Sequence, residues 1–154
     1  MNEAGRWFLR SGIRSPEGGV ARYYRSDLQK NVPVSTEITG YSVSALSYLH
    51  SVTGDEAYRD AAMESARFLA NVAWDAASHT FPFEIHSSVS GQRLAYFFDL
   101  GIIARGLITT GAGEFRESEN KAKALLRALE AAHAKGSRSK QNYPKGKNSM
   151  KGKS

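Results

Sequence analysis

The amino-acid sequence predicts an all-α fold, an array of about two αα-hairpins followed by a disordered C-terminal tail. Three observations predict it. Apolar residues recur at spacings of three and four, which places them on one face of a helix. A segment of low charge twice precedes a strongly amphipathic segment, with a glycine-containing turn between the two. The two pairs also align with each other, which indicates a repeat.

The first pair of segments comprises residues 37–52 and 55–74. The first segment carries a single formal charge, so we expect an inner helix that is buried on most sides. Ser35 or Thr36 can cap its N-terminus, and Gly54 suits the tight turn that follows. The second segment is acidic in its first turn and amphipathic along its length, as expected of an outer helix.

The second pair comprises residues 93–109, again mostly apolar, and the amphipathic residues 114–134. We therefore predict a second inner helix and a second outer helix. At a constant offset of 61 residues, Gly40 aligns with Gly101, Ala45 with Gly106, and Leu46 with Leu107. The segments that lead into both inner helices are long and contain strand-like pieces. Such segments open on one face of a repeat array, and function concentrates there.

The net charge of +6 arises from the C-terminal tail. The chain has 21 Lys and Arg against 15 Asp and Glu, and residues 135–154 contain seven of the basic residues and none of the acidic ones. Residues 1–134 are therefore nearly neutral. The tail is poor in apolar residues and is predicted to be disordered. Alternatively, it is an electrostatic arm for RNA or another polyanion, or a segment foreign to the fold; outside the tail we expect no nucleic-acid binding.

Composition excludes several classes of protein. The chain has no cysteine, which rules out disulfides and cysteine metal sites. No apolar run approaches the roughly 18 residues needed to span a bilayer, and the N-terminus lacks the pattern of a signal peptide. We therefore expect no membrane association and, by default, a cytoplasmic location. The histidines are too dispersed to predict a metal site, and no cofactor is predicted.

Both pairs of segments share a motif pattern with a known superfamily. It runs Gly40-Tyr41, Ala45-Leu46, Tyr48-Leu49, then Thr53-Gly54-Asp55-Glu56-Ala57-Tyr58, with a weaker copy from Phe98 to Leu107. This pattern, over residues 36–134, resembles the six-hairpin glycosidase superfamily of α/α toroids, which includes unsaturated glycuronyl hydrolases and acylglucosamine epimerases.

The resemblance implies a carbohydrate-active protein, a glycan hydrolase or sugar epimerase whose substrate is an oligosaccharide or a sugar. A complete toroid has six hairpins and this chain supplies about two. The resemblance therefore implies a fragment of a larger toroid, or a partial array completed by self-association. The competing hypotheses are a non-catalytic helical-repeat module that binds a partner, and a truncated product without activity.

Two acidic residues are the candidates for catalysis. Glu37 lies in the predicted first turn of the first inner helix, where it is either a general acid or base, or a capping or helix-dipole carboxylate. Asp99 lies within an apolar run, where an unpaired charge is costly. It is either catalytic or joined in a salt bridge to a neighbouring helix or to Arg22 or Arg25. Glycoside hydrolysis uses two carboxyl groups about 5–10 Å apart.

Five further residues are candidates for substrate binding. Tyr23 and Tyr24 lie in a strand-like segment, where alternation predicts one ring facing inward and one outward. Tyr41 offers a further aromatic ring, although its place in an inner helix also fits the core. Glu84 and His86 lie on one side of the strand-like segment before the second inner helix, as a sugar-binding pair or as a solvated loop face.

Overall fold

The chain forms a mostly helical structure with a few short antiparallel strands, which confirms the predicted dominance of helices. The computed structural model describes residues 2–85, 94–110, 120, 123–127 and 130. Its elements are α1 (Asn2–Arg10), β1 (Val20–Ala21), β2 (Tyr24–Arg25), β3 (Lys30–Asn31), β4 (Val34–Ser35), α2 (Thr36–Thr53), α3 (Glu56–Phe68), a π-helix (Leu69–Ala73) and α4 (Phe97–Thr110). Residues 120, 123–127 and 130 are also helical.

Helices α2 and α3 form an αα-hairpin. α2 begins one residue before the predicted inner helix and ends one residue after it, and α3 with the π-helix covers nearly all of the predicted outer helix. Gly54 ends α2, because its φ of 69° suits a residue without a Cβ, and its N–H donates to the His50 carbonyl. The Asp55 side chain then accepts the amide hydrogen of Ala57 and caps α3.

Two apolar clusters hold the helices together. The first joins α2 to α3, with side chains of α1 packed against it, and its buried members are Leu46, Tyr58, Ala61 and Ala62. The second joins α2, α3, the π-helix and α4, and its members include Val43, Leu69, Phe81, Ile103, Leu107 and Leu125. Leu125 belongs to the predicted second outer helix, so part of that segment packs on the shared core.

The N-terminus of α2 depends on a buried hydroxyl group. The Ser35 side chain accepts the amide hydrogen of Ile38 at 3.3 Å, which satisfies one of the unpaired amides of the first turn. We expect Ser35→Ala to lower the free energy of unfolding by about 1 kcal/mol. Ser51→Ala, which removes an exposed hydroxyl from the same helix, should change it by less than about 0.5 kcal/mol. Urea unfolding would measure both, and equal losses would contradict this role of Ser35.

An antiparallel β-hairpin leads the chain into α2. β1 pairs with β4 and β2 pairs with β3, with Val20 opposite Ser35 and Tyr24 opposite Asn31. The residues between the two strand pairs are also joined by backbone hydrogen bonds, so the hairpin is continuous. Its last strand runs directly into the first turn of α2, which fixes where that turn lies.

The segment before α4 lies along the end of this hairpin. Glu84 forms an isolated β-bridge with Ser35, and the Thr36 N–H donates to the Phe83 carbonyl. The Phe83 N–H donates in turn to the Leu94 carbonyl at 2.6 Å. These contacts bring the beginning of α4 to the beginning of α2, so the two helices start at the same end of the fold.

α4 begins at Phe97, so the predicted start of the second inner helix at residue 93 is wrong. Residues 94–96 are not helical. The reason is that the Leu94 carbonyl accepts a hydrogen bond from the neighbouring segment, and the first helical bond runs from the Leu100 N–H to the Tyr96 carbonyl at 3.2 Å. A bond between segments distant in sequence leaves no trace in helical periodicity.

α2 packs against α4, and glycine backbones form part of their contact. A Cβ added at Gly40 would lie 3.0 Å from the Ile103 Cα. A Cβ added at Gly106 would lie only 2.7 Å from the Gly40 carbonyl oxygen. The helices can therefore approach this closely only because neither position carries a side chain.

None of the described helices is both long enough and apolar enough to cross a membrane. The cytoplasmic location stays a prediction. The tail over residues 135–154 and most of the predicted outer helix over 114–134 lie outside the described residues.

Candidate functional site

The first turns of α2 and α4 bring two carboxyl groups to one end of the fold. Glu37 lies in the first turn of α2, and Asp99 lies in the first turn of α4. The two are close enough for the charge of Glu37 to raise the pKa of Asp99. We call these residues the acid pair. The structure thus brings together the two residues that the sequence predicted as catalytic.

Asp99 is buried, with only 6% of its surface exposed, and its Oδ2 atom has no hydrogen-bond partner among the described residues. Burial raises the pKa of this carboxyl group, because the charged form loses hydration, and the nearby charge of Glu37 raises it further. A hydrogen bond with its own backbone N–H acts in the opposite direction. Asp99 therefore holds a proton more readily than an aspartate on the surface.

The two arginines considered as salt-bridge partners for Asp99 pair with other residues. Arg22 Nη1 lies 3.1 Å from Glu84 Oε1, and Arg25 pairs with Asp27 within the β-hairpin. The predicted alternative of a salt bridge from Asp99 to either arginine is therefore wrong. The sequence did not anticipate this, because Arg22 and Glu84 meet only when the hairpin and the segment before α4 lie side by side.

Glu37 is half-buried and does not cap α2, because the capping side chain is that of Ser35. Its place in the first turn still suits the helix dipole. Tyr41 lies four residues further on, hence on the same side of the helix as Glu37. Its ring is exposed at the surface, so the alternative placement of Tyr41 in the core is wrong. An aromatic ring therefore lies next to the acid pair.

A second group of side chains surrounds Arg22. Its guanidinium group lies 5.2 Å from the centre of the Phe83 ring and 5.3 Å from that of Tyr23, distances typical of cation–π contacts. Phe83 in turn meets Tyr96 edge to face, with ring centres 5.2 Å apart. We call Arg22, Tyr23, Phe83, Glu84 and Tyr96 the arginine cluster. Within it the Glu84 side chain is largely buried, at 13% exposure, so its ion pair with Arg22 is partly shielded from water.

The arginine cluster borders the acid pair. Tyr96 lies three residues before Asp99, and Glu84 bridges Ser35, which lies two residues before Glu37. Sequence reasoning assigned no site role to Arg22, Phe83 and Tyr96, since their contacts join residues far apart in the chain. The one available signal was their position in the long segments that lead into the inner helices.

The remaining predicted binding residues have different positions. Tyr24 lies in β2, further along the hairpin from α2, and all four residues of β2 and β3 are exposed. Tyr23 and Tyr24 are both exposed, so the prediction that one ring faces inward is wrong, because none of the described elements covers this half of the hairpin. His86 lies outside the described residues.

The described part of the chain contains no group of three or more His, Cys, Asp or Glu residues arranged to hold a metal ion. Comparison with protein-family models, curated proteins and solved structures found no match. The acid pair and the arginine cluster are therefore the features of this chain from which a function can be inferred.

Proposed function

We propose that the protein acts on carbohydrate, as a glycan hydrolase or a sugar epimerase, with the acid pair at its reaction centre. The observation that carries the proposal is the state of Asp99, a buried carboxyl group beside a second carboxyl group, with a raised pKa and an oxygen that has no hydrogen-bond partner among the described residues. A carboxyl group that keeps its proton can donate it to a departing oxygen. Burying a carboxyl oxygen without a partner is costly, which favours a functional over a structural role for Asp99.

In glycoside hydrolysis the two groups would have complementary roles. Asp99 donates its proton to the glycosidic oxygen as the bond to the anomeric carbon breaks. Glu37 accepts a proton from the attacking water, whose oxygen bonds to that carbon. Carboxyl groups about 6.5–9.5 Å apart favour this direct displacement, with inversion. Groups about 5–5.5 Å apart favour a covalent glycosyl intermediate on Glu37, with retention.

The surroundings of the acid pair suit a sugar. The exposed rings of Tyr41 and Tyr23 provide apolar faces on which a pyranose ring can stack, and Arg22 with Glu84 provides a donor and an acceptor for hydroxyl groups. Tyr24 would extend the binding surface along the hairpin. The substrate proposed is therefore an oligosaccharide or sugar bound across the first turns of α2 and α4.

The arrangement of the helices supports a partial α/α toroid as the scaffold. α2 and α4 lie side by side and start at the same end, as inner helices do, and α3 returns behind α2 as an outer helix. The helical residues 123–127, with Leu125 in the shared core, fit a second outer helix. We propose that the chain supplies about two hairpins of such an array.

Loss of the proposed proton donor should separate binding from turnover. We expect a panel of neutral and acidic oligosaccharides to contain at least one that raises the thermal midpoint of the wild-type protein and is cleaved or epimerised by it. Asp99→Asn should keep the shift in the midpoint and lower turnover by about 10²–10⁴-fold. Reducing-end release and NMR of the anomeric protons measure the two reactions.

Asp60→Asn is the matched control, because it replaces an exposed aspartate of α3 far from the acid pair in the sequence. It should leave both binding and turnover unchanged. Full activity in Asp99→Asn would remove Asp99 from the reaction. Wild-type binding without turnover would favour a non-catalytic binding module, and the absence of a shift with every glycan would end the carbohydrate proposal.

A further inference from the structure

The two inner helices share part of their burial pattern. At the offset of 61 residues, four aligned pairs are buried in both α2 and α4: Thr39 with Leu100, Ser42 with Ile103, Val43 with Ala104, and Leu46 with Leu107. Three aligned pairs are buried in one helix and exposed in the other, and the first of them is Thr36, which is buried, with Phe97, which is exposed. Gly40 is buried whereas Gly101 is exposed, and Gly106 is buried whereas Ala45 is exposed.

The two exceptions that involve Gly40 and Gly106 are positions at which α2 and α4 touch. Gly40 of α2 lies against the backbone of Ile103, and Gly106 of α4 lies against Gly40. Each helix therefore uses one side in the internal contact. The side of α4 that aligns with the contact side of α2 is exposed, and so is the side of α2 that aligns with the contact side of α4. A Cβ added at Gly101 would meet nothing within 4 Å among the described residues, where the same atom at Gly40 would meet α4.

The unused sides of the two helices are rich in exposed apolar side chains. On α4 this side, which we call the α4 flank, consists of Phe97, Phe98, Gly101 and Ile108. Phe97 and Phe98 are 74% and 63% exposed. On α2 the corresponding side, the α2 flank, consists of Tyr41, Ala45, Tyr48 and Val52. None of these eight residues is charged, although the exposed Arg105 lies on the same side of α4, four residues after Gly101. Exposed apolar surface of this kind typically marks an interaction site.

We propose that the α4 flank of one copy binds the α2 flank of a second copy, in a head-to-tail contact that repeats the internal packing of α2 on α4. The occupant is identified by continuity with the interface already inside the chain. Gly101 of α4 aligns with Gly40 of that interface, and Ala45 of α2 aligns with Gly106. Each flank therefore has a complementary surface on every other copy of the chain.

The proposed contact between copies differs from the internal contact because Ala45 carries a methyl group where Gly106 carries none. A Cβ at the equivalent Gly106 would lie 2.7 Å from the carbonyl oxygen across the interface. The contact between copies must therefore be wider or slightly shifted, and the large side chains of both flanks fill the added space. Such a contact is weaker than the internal one, so the assembly should dissociate on dilution.

A head-to-tail contact has a consequence for assembly. Because the two surfaces differ, each copy can bind one neighbour at each flank, and the assembly either closes into a ring or extends as a filament. Because α2 and α4 start at the same end, every copy would present its acid pair at the same end of the assembly. The proposal does not rest on the proposed reaction, but the two share Tyr41, which lies in the α2 flank and is also a proposed sugar-binding residue.

Two variants that each block one flank test this proposal. Gly101→Leu places a side chain on the α4 flank, and Ala45→Arg places a charge on the α2 flank. Multi-angle light scattering over an about hundredfold range of concentration should find reversible assembly of the wild-type chain. Each variant alone should weaken assembly by at least about tenfold. An equimolar mixture should form heterodimers limited to two copies, because each variant retains the flank that the other has lost.

Ala57→Arg, at an exposed position in the first turn of α3, is the matched control and should assemble like the wild type. Circular dichroism and the thermal midpoint should confirm that both flank variants fold. A wild-type chain that stays monomeric overturns the proposal. A variant mixture that stays monomeric overturns it as well. If Ala45→Arg still dimerises fully, the contact is symmetric through α4 and the head-to-tail arrangement is wrong.

Discussion

Gly106→Leu is expected to lower the free energy of unfolding by about 2–3 kcal/mol, because even the added Cβ would lie 2.7 Å from a backbone oxygen of α2. The oxygen belongs to Gly40 and cannot move without moving the helix, so α2 and α4 would have to separate and lose packing in the shared core. The same substitution at Gly101 should instead stabilise the fold by about 1 kcal/mol. There the Cβ meets nothing among the described residues, and leucine favours a helix over glycine by about that amount.

Urea unfolding at low protein concentration, where assembly does not contribute, measures both changes. The pair is well matched, because the two glycines lie five residues apart in one helix and receive the same side chain. Gly40→Leu should behave like Gly106→Leu, since its Cβ would lie 3.0 Å from the Ile103 backbone. Equal effects at Gly101 and Gly106 would contradict the close approach of α2 and α4.

The first hairpin could be predicted from the sequence because its determinants are local. The sequence placed a cap at Ser35 or Thr36 and a turn at Gly54, and the structure has Ser35 as the cap and Gly54 in the turn. The start of α4 could not be predicted, because a hydrogen bond from Phe83 to Leu94 holds residues outside the helix. Helical periodicity alone does not distinguish an apolar strand-like segment from the turn of helix that follows it.

Some residues of the candidate site could also be predicted from the sequence, and others could not. Asp99 and Glu37 could be selected from the sequence, because an acidic residue is conspicuous in a segment of low charge. Arg22 and Phe83 could not be selected, since what distinguishes them is a contact between the β-hairpin and the segment before α4. The repeat in the sequence identified Gly40 and Gly101 as equivalent, and only the structure revealed that one is in contact and the other is not.

Replacement of Asp99 by asparagine should stabilise the protein at neutral pH, although it removes the proposed proton donor. The folded-state pKa of Asp99 is raised from 3.8, so the folded state binds its proton more tightly than the unfolded state does. The stability from this group is fully present below the unfolded pKa and is lost as the pH rises through the folded pKa. The unfolding free energy changes by about 1.4 kcal/mol for each tenfold difference in proton affinity between the folded and unfolded states.

The difference in unfolding free energy between Asp99→Asn and the wild type should therefore be small near about pH 3.5, and should grow as the pH rises to a plateau in favour of the variant. Glu37→Gln should reduce the pH dependence of the wild type, because it removes one cause of the raised pKa and leaves burial. Asp60→Asn should leave that dependence unchanged. A variant that is less stable than the wild type at every pH would mean that Asp99 is ionised and paired in the folded state. If Asp99→Asn is instead more stable and inactive, the fold keeps a carboxyl group that lowers its stability, which is typical of a functional site and not of a structural one.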